Sequence, residues 1–417
     1  LIERLLELLR LHIHPVVPSQ GSVGASGDLA PLAHLALPVI GHGQVEVEGE
    51  VMPAREALMT AGLDPLVLEP KEGLALLNGT QMMGAIGALL LARADRLART
   101  ASVAAAISVE ALRGTEVAFS AALQSTRPHP GQVQTAAELR WLLRDSTIQA
   151  AHHGDDHRVQ DPYSLRCVPQ VHGAARDALD HLRRVLDIEL NSATDNPLVF
   201  PEGGVVPEDA LATGHGLVIS GGNFHGEPVA LALDYAKLAI AELGAISERR
   251  VALLLDPRLN DGLPAFLGAS SGLDSGLMIL QYTAAALASE SKTLAHPASV
   301  DSIPTSANQE DHVSMGSIAA RNAMTVLEHT ERIVAIELIC ASQGLDLRLD
   351  LQPETAPGLG VAEAHARVRS VIERLEEDRE PGPDIEAAFG LVHEGALVEL
   401  AAARTSVGTS WLGPDPR

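Results

Sequence analysis

The sequence predicts a mainly α-helical protein: a bundle of long, largely buried helices with a small β-hairpin and a glycine-rich active-site loop. Three observations predict it. Apolar residues recur at helical spacing through most of the chain, one stretch alone alternates with the period of a strand, and chain-breaking residues gather into a few loops.

Taken in order, "LIERLLELLRLHIHP" has helical periodicity from Leu1, with no capping residue ahead of it, so a preceding segment is expected. The loop "HPVVPSQGSVGASGDLAPLAHLA" (His14 to Ala36) follows, with Gly21, Gly24 and Gly27 available for positive φ. "GQVEVEGEVM" (Gly43 to Met52) alternates Val45, Val47 and Val51 around Gly49 and reads as a peripheral hairpin. From Met83 to Leu112 an apolar cylinder carries Arg93, Arg96 and Arg99 on one side, so most of its circumference must be covered by protein. From Gly173 to Leu190 a more ordinary amphipathic helix shows Leu179, Leu182, Leu186 and Leu190. Further long helices are expected at about Glu227 to Leu255, Ser275 to Leu294, Gly316 to Ser342 and Val361 to Glu377. "VFPEGGVVPEDALATGHG" and "DREPGPD" read as loops. Residues 1–348 are read as the helical core, and residues 349–417 as C-terminal helices and a Pro-rich tail packed on it.

At 417 residues the chain suits one very large helical unit or two closely joined ones. Acidic residues outnumber basic ones 54 to 30, the net charge is −24, and no basic cluster forms, so nucleic acid and anionic membrane are poor partners. Charges interrupt each apolar run before the ~18 residues that would mark a membrane span. No secretory signal is read at the start of the chain. Two cysteines, Cys167 and Cys340, make no disulfide framework and point to a reducing, cytoplasmic compartment. In "HHGDDH", His152 and His157 are separated by loop-like Gly and Asp, a weak pattern, and no metal is expected.

The glycine loop has two familiar rivals, and neither fits. A nucleophile elbow needs Gly two residues either side of its serine, but Ser22 follows Gln20 at that distance and Ser26 precedes Asp28. A phosphate loop needs Gly-Lys-Ser/Thr, and the stretch contains no lysine. What remains is Ala25-Ser26-Gly27, preceded by Gly24 and followed by Asp28.

"GSVGASGDLAPLAHLA" resembles the signature of the aromatic amino-acid ammonia-lyases and aminomutases. In that family an Ala-Ser-Gly tripeptide closes on itself into a methylidene-imidazolone ring, an electrophile built from backbone; glycine offers the least steric objection to the closure. The resemblance continues, in order, through "KEGLALLNGTQ" (Lys71 to Gln81), "VQDPYSLRCVPQVHG" (Val159 to Gly173), "ATDNPLVF" (Ala193 to Phe200), "SGGNFHGEPVA" (Ser220 to Ala230), "ISERR" (Ile246 to Arg250) and "SVDSIPTSANQEDHVSMG" (Ser299 to Gly316). The blocks read closest to the branch that eliminates ammonia from L-histidine to give trans-urocanate, the first step of histidine degradation; "NFHGEPVA" and "SANQEDHVSM" are the telling ones. Phenylalanine or tyrosine lyases, aminomutases, and a catalytically incomplete scaffold are the alternatives.

The resemblance implies the cofactor, formed from Ala25, Ser26 and Gly27, and a role for each matched residue. Asn78 lies against the ring and orients it. Arg166 grips the substrate carboxylate with its planar fork. Gln160 and Tyr163 line the same pocket, Tyr163 as a hydrogen-bond or proton-transfer group near the ring. Phe224 packs beside the ring, and Glu310 contacts the substrate imidazole. Taken singly these residues have plain readings: Asn78-Gly79 a turn, Arg166 a surface ion pair, Phe224 core, Glu310 a solvated carboxylate. The order of the blocks is what raises them. The resemblance further implies a homotetramer with active sites shared between subunits, which suits helices apolar all round. It also implies a catalytic tyrosine N-terminal to the loop. The 24 residues before Ala25 hold none, so this 417-residue chain by itself is expected to be poorly active or inactive.

Overall fold

The computed structural model describes residues 1–151, 158–200, 218–269 and 272–402. Among them lie helices α1 (Ile2–Arg10), α2 (Leu29–Ala36), α3 (Ala54–Thr60), α4 (Glu72–Leu77), α5 (Gln81–Ala111), α6 (Ala121–Ser125), α7 (Pro130–Leu142) and α8 (Thr147–Ala151). There follow α9 (Tyr163–Arg166), α10 (Val168–Glu189), α11 (Glu227–Leu255), α12 (Met278–Leu294), α13 (Gly316–Leu351), α14 (Leu359–Arg369), α15 (Gly382–Glu394) and α16 (Val398–Ala402). The mainly helical class is therefore as the sequence predicts. The chain divides into two compact units, the first made of Leu1–Leu89, His181–Tyr235 and Pro297–Met324, the second of Leu90–Asp180, Ala236–His296 and Thr325–Arg417.

In the first unit the expected hairpin forms from β2 (Gln44–Val47) and β3 (Glu50–Pro53), with Val45 opposite Met52. Glu48 and Gly49 both take positive φ (52° and 86°), the two-residue turn that matches strand twist. A third strand, β1 (His14–Pro15), pairs antiparallel with β2. Val45 enters a small apolar cluster with Leu8, Ile13, Val39, Ala54, Ala57 and Leu58, which ties α1 and α3 to the sheet. A second antiparallel pair, β4 (Leu198–Val199) with β5 (Val218–Ile219), is an addition to the expected elements.

In the second unit every residue of α5 from Ala101 to Ala111 is buried, alanines admitting close neighbours on all sides. Several buried charges there are paired, which offsets the cost of burying them. Arg176 grips Glu138 through Nη1 (2.8 Å) and Nη2 (2.5 Å). Arg93 holds Glu331, its Nη2 at 2.6 Å from Oε2. Arg250 and Glu337, both fully buried, form a two-pronged pair at 2.5 and 2.8 Å.

Several boundaries differ from expectation. α13 continues past Ser342 to Leu351, running through Gly344. There a Cβ would stand 3.2 Å from a methyl of Leu254 and 3.3 Å from Ala111 Cβ, so this glycine serves close helix approach, not a helix end. α12 begins at Met278, three residues after Ser275. α14 stops at Arg369, short of Glu377. Beyond it Ile372 and Leu375 turn inward, and the Gln343 side chain accepts from Leu375 N (3.0 Å) and donates to Leu375 O (3.0 Å), replacing helical bonds. The HHGDDH segment, most of the Val199–Gly216 loop and the tail from residue 403 lie outside the described residues.

Candidate active site

The glycine loop and its surroundings belong to the first unit. Ser26, Gly27 and Gly24 all have positive φ (50°, 77° and 77°), a shape available cheaply to glycine and at a cost to serine. Gly27 forms a one-residue parallel bridge with Gly79. Asp28 N donates to Gly79 O (2.7 Å) and Gly79 N donates to Ser26 O (3.3 Å). A Cβ on Gly27 would overlap the Gly79 carbonyl, so the two backbones meet where no side chain can stand. The bridge places Asn78, the residue before Gly79, beside the Ala25-Ser26-Gly27 turn. Asn78 is buried; its Nδ2 donates to Asp195 Oδ1 (3.2 Å) and Asn196 O (3.0 Å), while its Oδ1 has no partner.

Asp28 anchors the other side of the turn. Its carboxylate is fully buried and accepts from Met83 N (2.9 Å), capping the first turn of α5. Burial pushes its carboxyl up to about 6, against the lowering effect of the Met83 and Met82 amides.

Glu310 reaches the turn from the segment before α13. Ser26 Oγ donates to Glu310 Oε1 (2.7 Å), and Thr305 Oγ1 (2.8 Å) and Ser306 Oγ (2.7 Å) donate to Oε2. These hydroxyls, Ser306 first, hold the Glu310 carboxyl below its usual range. Ser306, Ala307 and Asn308 in succession adopt positive φ (48°, 55° and 69°), curling the backbone so that both hydroxyls meet one carboxylate oxygen. The sequence reading missed Thr305 and Ser306; hydroxyls five and four residues before an expected site carboxylate were the available signal.

Phe224 is half-buried in the turn before α11. Two residues on, a Cβ on Gly226 would stand 2.6 Å from Met83 Sδ and 3.1 Å from Ser314 Oγ, and a Cβ on Gly24 would overlap the same Ser314 hydroxyl. Glycines therefore let the loop, the Phe224 turn and the Ser314 segment converge. Met315 N donates to Val23 O (2.9 Å) and Ser317 Oγ to Ser22 O (2.9 Å), locking the loop to the start of α13.

The other three expected site residues lie together in the second unit, at α9. Arg166 Nη2 donates to Gln160 Oε1 (2.9 Å), and the guanidinium lies over the Tyr163 ring, 4.6 Å from its centroid. Tyr163 is 70% exposed. Among the described residues no group of three or more His, Cys, Asp or Glu side chains is placed to hold a metal.

Fold and site together define a mainly helical enzyme in which glycines bring backbone into the centre of the site. The family model for aromatic amino acid lyases matches residues 1–370. The chain belongs to the aromatic amino acid lyase family and is a carbon–nitrogen lyase. It is 54% identical over 404 residues to histidine ammonia-lyase of Anaeromyxobacter dehalogenans (strain 2CP-C), covering 95% of this chain and 76% of that one. Among solved structures, histidine ammonia-lyase from Trypanosoma cruzi matches with a TM-score of 0.87 at 43% identity, covering 100% of this chain and 77% of the other. Tyrosine aminomutase from Streptomyces globisporus matches with a TM-score of 0.85 at 37% identity, covering 98% and 77%.

Proposed function

We propose that this lyase eliminates ammonia from L-histidine to give trans-urocanate. The observation that carries this reading is the Glu310 carboxylate held against the Ala25-Ser26-Gly27 turn by the 2.7 Å bond from Ser26. Kept ionised by hydroxyl donors, such a carboxylate accepts a hydrogen bond from an imidazole N–H, whereas a phenyl ring has none to give. The likeness to histidine ammonia-lyases supports the same substrate.

Ala25, Ser26 and Gly27 fit a methylidene-imidazolone ring: Gly27 lacks a Cβ where Gly79 stands, Ser26 is already curled at φ 50°, and the buried Asn78 Oδ1 is unpartnered beside them. When formed, that ring supplies an electrophile that makes the substrate amine a better leaving group. Asn78 orients the group at this turn. Glu310 binds and orients the substrate imidazole. Phe224 covers the neighbouring face. To Arg166 we assign the substrate carboxylate, which its fork binds by two N–H donors, and to Gln160 the support of that fork. Tyr163 serves the reacting groups through its phenol oxygen, as a hydrogen-bond or proton-transfer group.

We further read the enzyme as a cytoplasmic homotetramer with active sites shared between subunits. Leu231, Tyr235 and Leu238, exposed at four- and three-residue spacing on α11, support an assembly face. Both cysteines being free supports a reducing compartment.

The test uses protein expressed from its complete reading frame. Histidine, phenylalanine and tyrosine are offered separately while the ultraviolet absorbance of each unsaturated product is followed, and the peptide bearing Ala25-Ser26-Gly27 is weighed. Urocanate from histidine and a peptide two waters lighter than its sequence bear the proposal out. Cinnamate or coumarate in place of urocanate moves the enzyme to another branch of the family, and an unreacted peptide of full mass overturns the ring and the elimination together.

A further inference from the structure

α9 is one helical turn, too short to hold itself by its own bonds from Leu165 N and Arg166 N to Pro162 O and from Cys167 N to Tyr163 O. Yet it carries Tyr163 and Arg166, with Gln160 just before it, and its outer face is open. Leu165 alone of its residues is fully buried. Two charged side chains tie the segment to its surroundings, one just before α9 and one within it. On the entering side, the Asp161 carboxylate is buried and accepts from Thr115 N (2.7 Å), with Arg158 Nη1 3.5 Å from its other oxygen. On the leaving side, the fully buried Arg250 donates Nη1 to Ser164 O (3.3 Å).

The partners of Arg250 leave it little freedom. Its Nε and Nη2 are taken by Glu337, whose two oxygens also accept from Ser108 Oγ (2.7 Å) and Ser247 Oγ (2.6 Å). A buried ion pair is seldom more stabilising than apolar residues of the same volume, so stability alone is a poor reason to keep one. Here the pair fixes a planar fork, and the remaining Nη1 branch meets Ser164 O, a backbone carbonyl between Tyr163 and Arg166 in α9. We propose that Asp161 and Arg250 are positioning residues, a clamp on α9 that sets where Gln160, Tyr163 and Arg166 point. Its consequence for turnover rests on the substrate roles assigned above; the clamp itself does not.

The test compares Arg250→Lys, Asp161→Ala and Asp161→Asn in the complete enzyme. Lysine keeps a charge for Glu337 but has no planar second branch for Ser164 O. Asparagine keeps an acceptor for Thr115 N, and alanine does not. Amide exchange across residues 164–168, read by hydrogen–deuterium mass spectrometry, is expected to quicken about tenfold in Arg250→Lys and Asp161→Ala. The KM for histidine is expected to rise about tenfold in both, with kcat changed less, because a displaced Arg166 weakens carboxylate binding. Asp161→Asn is expected to restore both readouts, and the two-water mass loss at the loop is expected in all three. Unchanged exchange in folded Arg250→Lys and Asp161→Ala overturns the clamp; should Arg250→Lys fail to fold, the Asp161 pair decides alone. Quickened exchange in an enzyme that leaves histidine untouched keeps the clamp and removes the functional reading.

Discussion

Replacing Gly27 by Ala puts a methyl group where the Gly79 carbonyl stands. The built Cβ overlaps that carbonyl and lies 2.9 Å from Gly79 Cα, and backbone cannot swing aside as a flexible side chain can. Residue 27 also sits at φ 77°, which costs alanine about 1–2 kcal/mol more than glycine. Relieving the overlap separates the two strands of the bridge and breaks Asp28 N to Gly79 O and Gly79 N to Ser26 O, about 1 kcal/mol each. The expected destabilisation is about 3–4 kcal/mol, a fall of about 4 °C in melting midpoint for a chain of this size. The turn should also lose the shape that ring closure needs. Calorimetry reads the first effect, and mass spectrometry of the peptide reads the second, as retention of both waters. Gly21→Ala is the control: φ is 118° there, but nothing lies within 4 Å of the added Cβ, so ring closure should survive. A Gly27→Ala protein with the wild-type midpoint and a peptide two waters lighter would refute the cradle argument.

Glu110 and Ser306 give two further tests. Glu110 is fully buried, accepts from Gly358 N at 3.1 and 3.0 Å, and has its carboxyl pushed up to about 8 by burial. A raised carboxyl favours the folded state while protonated, so its contribution is complete below about pH 4.5 and is lost as pH rises through about 8, on the order of 4 kcal/mol over that window. Glu110→Gln should remove that part of the alkaline decline, and denaturant melts at pH 6 and pH 9 with parallel losses for both proteins would contradict this. Ser306→Ala deletes the foremost donor lowering the Glu310 carboxyl, so the acid limb of histidine turnover should move to higher pH. An acid limb identical to wild type in kcat/KM would show that Ser306 does not set that charge.

The sequence displays its long helices because their burial repeats at a period of 3.6 residues over many turns, as in α10 and α11. The hairpin is equally visible, since Glu48-Gly49 supplies the turn and Val45 the inward side chain. β1, β4 and β5, two residues each, are too short to show any period. The end of α14 is hidden because a side chain far along the chain, Gln343, takes over the backbone bonds of Leu375. At the site, Ala25-Ser26-Gly27 is legible as a tripeptide that tolerates unusual φ. The partner of Gly27 across the bridge, Gly79, is not, because nothing local announces which distant glycine will meet it. Thr305 and Ser306 look like solvent-facing loop residues until three consecutive positive φ values bring them onto Glu310. Asp161 and Arg250 are invisible for the same reason: each acts on a backbone atom, and sequence patterns record side chains.

The stretch of α5 from Ala101 to Ala111 has no side facing water. An isolated helix of that kind would have nowhere to hide its surface, so it cannot exist ahead of its neighbours as a stable scaffold. Its backbone amides should therefore open only when the surrounding unit comes apart, making this segment a built-in gauge of whole-unit opening in exchange experiments, while frayed ends and surface turns report only local breathing.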